Sequence, residues 1–512
     1  MMCHMRFVTI LLAAMPLFAA DYSVRIENGV LSGAAGTSAE VRVFRGIPYA
    51  APPVGDLRWS APKPAASWQG ARDATKYSAN CYQKPYPEGS IYRTPPWPMS
   101  EDCLYLNVWT AAQSANDRRP VMVWIHGGGL TRGSGSNPSY SGESLAKKGV
   151  VVVTINYRLG VFGFLAHPEL TKESEQHSSG NYGLLDQIAA LEWVRKNIAA
   201  FGGDPQRVTI FGESAGSWSV NYLVATPLAK GLFHRAIGES GGVFAGVTKL
   251  DKVEQSGSKF AASMGADSVR ALRAKSAEDV EQAVGGATFQ PSVDGWLFPE
   301  DVNTIFAKGK QNDVPLIAGS NADEATSLSP WPADGTAASF KARVQRLFGD
   351  RTGEFLKFYP ASSDEEAKTS HYASFRDYTF GWQMRTWARM SSRTGKSNAY
   401  LYYFTRVPPG PMGARLGAYH AAEIVYVFHN LETVRRPYED ADRKLSDIMS
   451  SYWVNFATTG DPNGKDLPKW PVYQEKSDLA LELGNEIRPI PELHKAQLDF
   501  LDSHFQALRS GQ

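Results

Sequence analysis

One five-residue stretch constrains this chain more than any other. Gly212-Glu213-Ser214-Ala215-Gly216 stands directly behind the apolar run Arg207-Val-Thr-Ile-Phe211. Such short runs, rich in β-branched residues, predict buried strands. A serine placed between a strand end and a helix start must take a strained turn. Glycines two residues to either side let the neighbouring backbone come close. The turn lifts the serine Oγ clear of a sheet, and the helix N-terminus points amide N–H groups at any developing anion. The spacing therefore predicts Ser214 as a nucleophile; the plainer alternative is a glycine-rich turn.

The surrounding pattern predicts the sheet that such a turn needs. Apolar runs at 120–125, 150–156 and 207–211, with a weaker one at 314–318 that contains Pro315, fit buried parallel strands. Between the second and third, Leu184, Ile188, Leu191 and Ile198 fall near one helical face, and Phe-Gly-Gly-Asp-Pro at 201–205 stops the helix. Strands alternating with helices predict an α/β fold with a parallel-centred sheet. No repeat, low-complexity tract or charged linker divides the chain. We read one large domain over 21–512 with long insertions between core elements.

A second glycine segment, His126-Gly127-Gly128-Gly129, also follows an apolar run. Unshielded backbone N–H groups there would admit a substrate oxygen, and Gly128, Gly129 and Ala215 are the expected oxyanion donors. A phosphate-binding loop is the alternative. Gly395-Lys396-Ser397 imitates the end of such a motif, but Met390 stands where its upstream glycine would have to be.

Chain order in this architecture is nucleophile, acid, histidine. The histidines beyond residue 300 are His371, His420, His429, His494 and His504. His420 leads because Gly417-Ala-Tyr-His-Ala-Ala-Glu423 is a small-residue loop that can bring an imidazole close to Ser214. For the acid, Asp323 and Glu324 both follow the fourth run, at the strand end where sites of open α/β sheets form. The residues alone do not separate them.

The ends and the cysteines bear on location. Arg6 precedes an apolar run from Phe7 to Ala20, which reads as a signal peptide over 1–20, although Phe18 is a poor match to the cleavage site. Of three cysteines, Cys3 falls in that segment, leaving Cys81 and Cys103 as an even pair. A disulfide between them would close a ring holding Tyr82, Tyr86, Tyr92, Trp97 and five prolines, and would stabilise the fold by roughly 3 kcal/mol; two reduced buried cysteines are the alternative. No Asn-x-Ser/Thr site is present, which favours a bacterial exported protein. The expected location is periplasmic or extracellular. A formal charge of +1 argues against a nucleic-acid partner, and no segment is long enough for a stable membrane anchor. Neither H-E-x-x-H nor zinc-spaced Cys/His occurs, so no metal or other cofactor is expected. Oligomeric state is not legible.

Several longer segments carry a resemblance. Phe44-Arg-Gly-Ile-Pro-Tyr-Ala-Ala-Pro-Pro-Val-Gly-Asp-Leu-Arg58, Ser100-Glu-Asp-Cys-Leu-Tyr-Leu-Asn-Val-Trp109, Asn156-Tyr-Arg-Leu-Gly160, Gly180-Asn-Tyr-Gly-Leu-Leu-Asp-Gln187 and Tyr452-Trp through Gly460-Asp-Pro-Asn463 resemble the type B carboxylesterases, the family that includes the cholinesterases. The likeness runs from about residue 22 to the C-terminal region. It implies the α/β-hydrolase fold, a large, mostly parallel sheet flanked by helices with insertions forming the pocket rim. It implies Ser214 as nucleophile, Glu324 as acid, His420 as base and Gly128, Gly129 and Ala215 as oxyanion donors. It also implies the Cys81–Cys103 bridge, and Glu213, Ser240 and Glu423 as supports behind the triad. Three positions depart from the family pattern. Ala325 stands where glycine is usual, Leu130 stands where phenylalanine is commoner, and Arg93 occupies the place of the choline-binding tryptophan, with Tyr92 and Trp97 out of register. No quaternary-ammonium cage is therefore expected.

The implied chemistry is hydrolysis of a small-molecule carboxylic ester through an acyl-enzyme. Specialisation for one ester (phenolic, toxin or phthalate-type) is an alternative, as are amide or thioester hydrolysis, lipase action and a non-catalytic binding module.

Overall fold

The apolar runs form the centre of an eleven-stranded sheet. A computed structural model describes residues 22–511; the expected signal peptide and Cys3 lie outside the described residues. The strands are β1 (Ala34–Ala35), β2 (Arg42–Pro48), β3 (Tyr105–Thr110), β4 (Arg119–Ile125), β5 (Val151–Ile155), β6 (Gly203–Glu213), β7 (Arg235–Glu239), β8 (Leu316–Asn321), β9 (Ala399–Phe404), β10 (Leu479–Leu483) and β11 (Ile487–Pro491). Their spatial order is β11-β10-β9-β8-β7-β6-β4-β5-β3-β2-β1. Every pairing from β10 through to β5 is parallel. The margins are antiparallel. Buried parallel strands need apolar side chains on both faces. In β4, Val121, Val123 and Ile125 enter one core while Met122 and Trp124 enter the other.

Four helices matter for the site: α1 (Tyr182–Asn197), α2 (Ala215–Ala225), α3 (Trp382–Thr394) and α4 (Asp440–Thr459). Helix α2 packs on β6 and β7, α3 packs on β8 and β9, and α4 lies against β4 and β6. Helix α1 is buried on most sides, Asp186 and Gln187 included, a wider contact than a single apolar face. Asp186 is satisfied there by Arg158 at 2.7 Å.

The order of strand addition reverses around β4. Strand β5 is laid on one side of it and β6 on the other, so the loops leaving β4 and β6 diverge and open a crevice at their C-terminal ends. Register aligns the exits. Gly212 of β6 lies opposite Ile125 of β4 and Gly238 of β7. The His126 loop, the Ser214 turn and the Ser240 turn therefore emerge side by side.

Two boundaries differ from expectation. The fourth strand starts at Leu316, because Pro315 has no N–H to give a ladder; its carbonyl instead accepts from Ala236 at 3.0 Å. Helix α1 ends at Asn197, Ile198 begins a short 3-10 turn closed by Gly202 at φ 80°, and Gly203 to Pro205 already belong to β6. Cys81 and Cys103 form a disulfide, with Cα atoms 5.0 Å apart. The ring between them is irregular apart from the short pairing of Asn80–Cys81 with Met99–Ser100. Among the described residues, no helix is long and apolar enough to cross a membrane.

Candidate active site

Ser214 adopts φ 58° and ψ −121° between β6 and α2, a conformation that non-glycine residues hold only when the surroundings enforce it. Its N–H donates to Glu239 O at 2.8 Å, and its carbonyl accepts from Trp218 N at 2.9 Å. The flanking glycines are required by close approach. A Cβ on Gly212 would stand 2.6 Å from the Ile125 carbonyl oxygen, and one on Gly216 would run into the same atom.

The glycine loop lies across this turn. A Cβ on Gly127 would be 3.1 Å from Ser214 Cβ. Gly128 and Gly129 take φ of 108° and 66°, which suits residues without a Cβ. Their N–H groups, and that of Ala215 at the first position of α2, meet no acceptor among the described residues. Beneath the loop, His126 stacks on Tyr157 with centroids 4.5 Å apart and donates from Nδ1 to Gly127 O. Burial pushes the imidazole down to about 4, outweighing that bond, so His126 is a neutral support.

The two adjacent acids after β8 do different things. Glu324 accepts from His420 Nδ1 at 2.6 Å through Oε2 and from Asn321 N at 2.8 Å through Oε1. Asp323 instead pins the histidine loop: its N–H donates to Ala418 O at 3.0 Å, and its Oδ2 accepts from Ala418 N at 2.8 Å. His420 Nε2 lies 3.1 Å from Glu213 Oε1 without the alignment of a hydrogen bond. Ser214 is partly exposed, whereas Glu324 and His420 are buried. The other histidines are engaged elsewhere. His371 bridges Arg343 and Ser329, His429 meets Ser446, His494 meets Asp377 and His504 packs on Phe348. The phosphate-loop imitation at 395–397 wraps a carboxylate of its own, with the amides of Lys396 and Ser397 donating to Asp313 at 2.8 and 3.2 Å.

Around the imidazole lie three more buried glutamates, Glu213, Glu239 and Glu423. Glu423 accepts from Asn321 Nδ2 at 2.5 Å, and Glu239 accepts from Trp453 Nε1 at 2.8 Å. Burial, with the charge of Glu324, pushes Glu423 up to about 7. Burial together with neighbouring carboxylates also drives Glu213 and Glu239 well above the usual range. Ser240 Oγ, Glu239 Oε2, Glu423 Oε1 and Tyr402 Oη are buried without partners among the described residues. Carboxylates so placed favour the protonated form, because a low-dielectric interior penalises charge. Among the described residues, no group of three or more His, Cys, Asp or Glu could hold a metal ion.

Four contacts escaped sequence reasoning. Glu239 ends β7 with nothing to mark it but its neighbour Ser240. Asn321 backs two of the glutamates. Phe380 packs on His420 with centroids 4.9 Å apart, carried by a π-turn over Asp377–Gly381. Tyr92 stands edge-on to His420 at 6.4 Å and donates to its carbonyl at 3.1 Å; its hydroxyl also meets Ser327 Oγ at 2.7 Å. The aromatic content of the cysteine ring was the available signal for Tyr92. The π-turn left none.

Comparison with known proteins identifies the family. The profile described as "Carboxylesterase family" matches residues 20–501. Fumonisin B1 esterase of Sphingopyxis macrogoltabida is 37% identical over 93% of this chain and 89% of its own length. Para-nitrobenzyl esterase of Bacillus subtilis (strain 168) is 38% identical over 93% of this chain and 97% of its own. A solved PNB esterase superposes with a TM-score of 0.81 at 34% identity, covering 94% of this chain and 100% of that one, and so has the same α/β-hydrolase architecture. With its family profile spanning nearly the whole length and relatives this similar over nine-tenths of it, the chain belongs to the carboxylesterase family.

Proposed function

We propose that this protein is an exported serine carboxylesterase that cleaves small-molecule carboxylic esters through an acyl-enzyme on Ser214. His420 takes the proton from Ser214 Oγ as it attacks the ester carbonyl. Glu324 holds Nδ1, fixes the tautomer and stabilises the imidazolium. The oxyanion is received by the N–H groups of Gly128, Gly129 and Ala215, a service worth roughly 10²–10³ in rate per donor. The alcohol leaves with the proton from His420, and water then releases the acid by the same steps. Glu213, Ser240 and Glu423 support the triad, Glu213 from the Nε2 side of the imidazole. The observation that carries this reading is the 2.6 Å bond from His420 to Glu324, with the Nε2 of that imidazole 3.1 Å from Glu213, the residue preceding a serine held at positive φ. The esterase names of the two bacterial relatives support it.

Ser214→Ala abolishes hydrolysis of short aryl esters while the circular dichroism spectrum is retained, and a labelling organophosphate is found on the peptide containing Ser214. Turnover persisting in the variant would remove Ser214 from this role.

The same proposal includes a signal peptide over 1–20, a single catalytic domain over 21–512 and a periplasmic or extracellular location. The buried Cys81–Cys103 bridge supports it, since disulfides persist in oxidising compartments. N-terminal sequencing of protein recovered outside the cytoplasm tests the cleavage.

A further inference from the structure

The outer end of the site wall carries a charge that the hydrolytic steps do not use. Arg132 closes the glycine loop: its N–H donates to Gly128 O at 3.0 Å, and its own carbonyl packs where a Gly128 Cβ would be. Its Nε donates to Lys84 O at 3.0 Å, and its guanidinium lies over the Tyr86 ring, 5.4 Å from the centroid. Nη1 and Nη2 have no acceptor among the described residues, and no carboxylate there lies within ion-pair distance. Tyr86 meets Tyr92 at 5.8 Å, and Tyr92 meets His420 at 6.4 Å. One aromatic wall thus runs from the imidazole to the guanidinium, and the Tyr86 hydroxyl feels both Glu213 and Arg132. An arginine clamped by Nε and a ring face, with both terminal amino groups free, is pre-organised for a planar anion.

The nearby charges leave that preference intact. Lys84 adds a second cation. Glu281, on the helix Ala277–Ala283, faces both cations, with its carboxylate tied to the Lys84 backbone. The two cations thus share that one carboxylate.

We infer that the site takes esters bearing a second, ionised carboxyl group, and that Arg132 is the residue that reads it. This rests on the ester-hydrolase reading above. The free acid can belong to the acyl half, as in a half-ester of a dicarboxylic acid, or to the alcohol half.

The test compares kcat/KM for two matched pairs: 4-nitrophenyl hydrogen glutarate against 4-nitrophenyl pentanoate, and 4-acetoxybenzoate against phenyl acetate. The proteins are wild type, Arg132→Gln, Arg132→Lys and Lys444→Gln, the last an exposed lysine on α4. The charged-to-neutral ratio is expected to fall about tenfold in Arg132→Gln on one arm, mainly through KM. It is partly restored by lysine, unchanged in Lys444→Gln and weakened by salt. The responding arm identifies the half that carries the acid. Binding of glutarate and 4-hydroxybenzoate to Ser214→Ala, followed by tryptophan fluorescence, gives a readout without turnover; one of them weakens about tenfold when Arg132→Gln is added. Ratios and binding independent of Arg132 on both arms would overturn the inference. Hydrolysis that survives Ser214→Ala would overturn the nucleophile instead, with the binding measurement still deciding Arg132.

Discussion

Tyr92 touches His420 in two ways, presenting its ring edge-on to the imidazole at 6.4 Å and its hydroxyl to the backbone carbonyl at 3.1 Å. Tyr92 comes from the cysteine ring and His420 from a loop 328 residues later. The same hydroxyl reaches Ser327, three residues beyond Glu324. One phenol therefore ties the irregular ring to both His420 and the strand end that carries Glu324.

Tyr92→Phe keeps the ring and removes both bonds. Stability is expected to drop by about 1 kcal/mol, and kcat on a short aryl ester to fall several-fold while KM changes little. Thermal unfolding and steady-state kinetics measure the two effects. An unchanged kcat would show that the histidine loop holds its position without the phenol.

The neighbouring acids separate by substitution. Glu324→Gln loses the partner of Nδ1 and should lower kcat by about 10⁴. Asp323→Asn weakens the clasp on Ala418 and should cost about 1 kcal/mol of stability with a far smaller loss of rate. Equal losses of kcat in both variants would contradict the division of labour.

Glu423 makes stability depend on pH. Its folded-state value, about 7, lies above the 4.5 of a free carboxyl. Its contribution to stability is therefore fully present below pH about 4.5 and is lost as pH rises towards about 7. The slope from this group is at most about 1.4 kcal/mol per pH unit. Urea titrations across that window should show the decline in wild type and a flatter profile in Glu423→Gln. Parallel profiles would mean that the carboxyl is ionised when folded.

Gly216→Ala should not accumulate as folded enzyme, because the added methyl meets the Ile125 carbonyl, a strand backbone with nowhere to move. Gly231→Ala is the control for backbone strain: that residue has a positive φ of 75° but open space around it. Its cost should stay near 1 kcal/mol. Soluble yield and melting temperature compare them.

What could be read from the sequence follows a physical division. The Ser214 turn and the Gly127–Gly129 loop are local devices, in which steric need sets residue type at fixed spacing, so a segment of four or five residues announces each. The residues alone did not tell Asp323 from Glu324, and only the family resemblance chose between them, because their difference is made by Ala418 and His420, more than ninety residues away. Glu239 was hidden for a related reason: a buried glutamate contradicts the apolar pattern of its strand and is intelligible only with Trp453 opposite. The apolar run 314–318 marked the strand, weakened by Pro315, but could not show that pairing begins only after that proline. The π-turn that seats Phe380 against His420 depends on tertiary packing and has no residue signature.

The separation of Ser214 from His420 along the chain has a consequence during synthesis. When residue 400 has just been added, the serine turn and the glycine loop have both been made, but His420, the imidazole proposed to take the proton, has not. The chain must extend past His420, and Asp323 must then capture Ala418, before the proposed triad can form. Catalytic competence is thus a clock for completed assembly. A nascent chain that stops short of His420 lacks the proposed triad, and in refolding the return of turnover should trail the recovery of helix content.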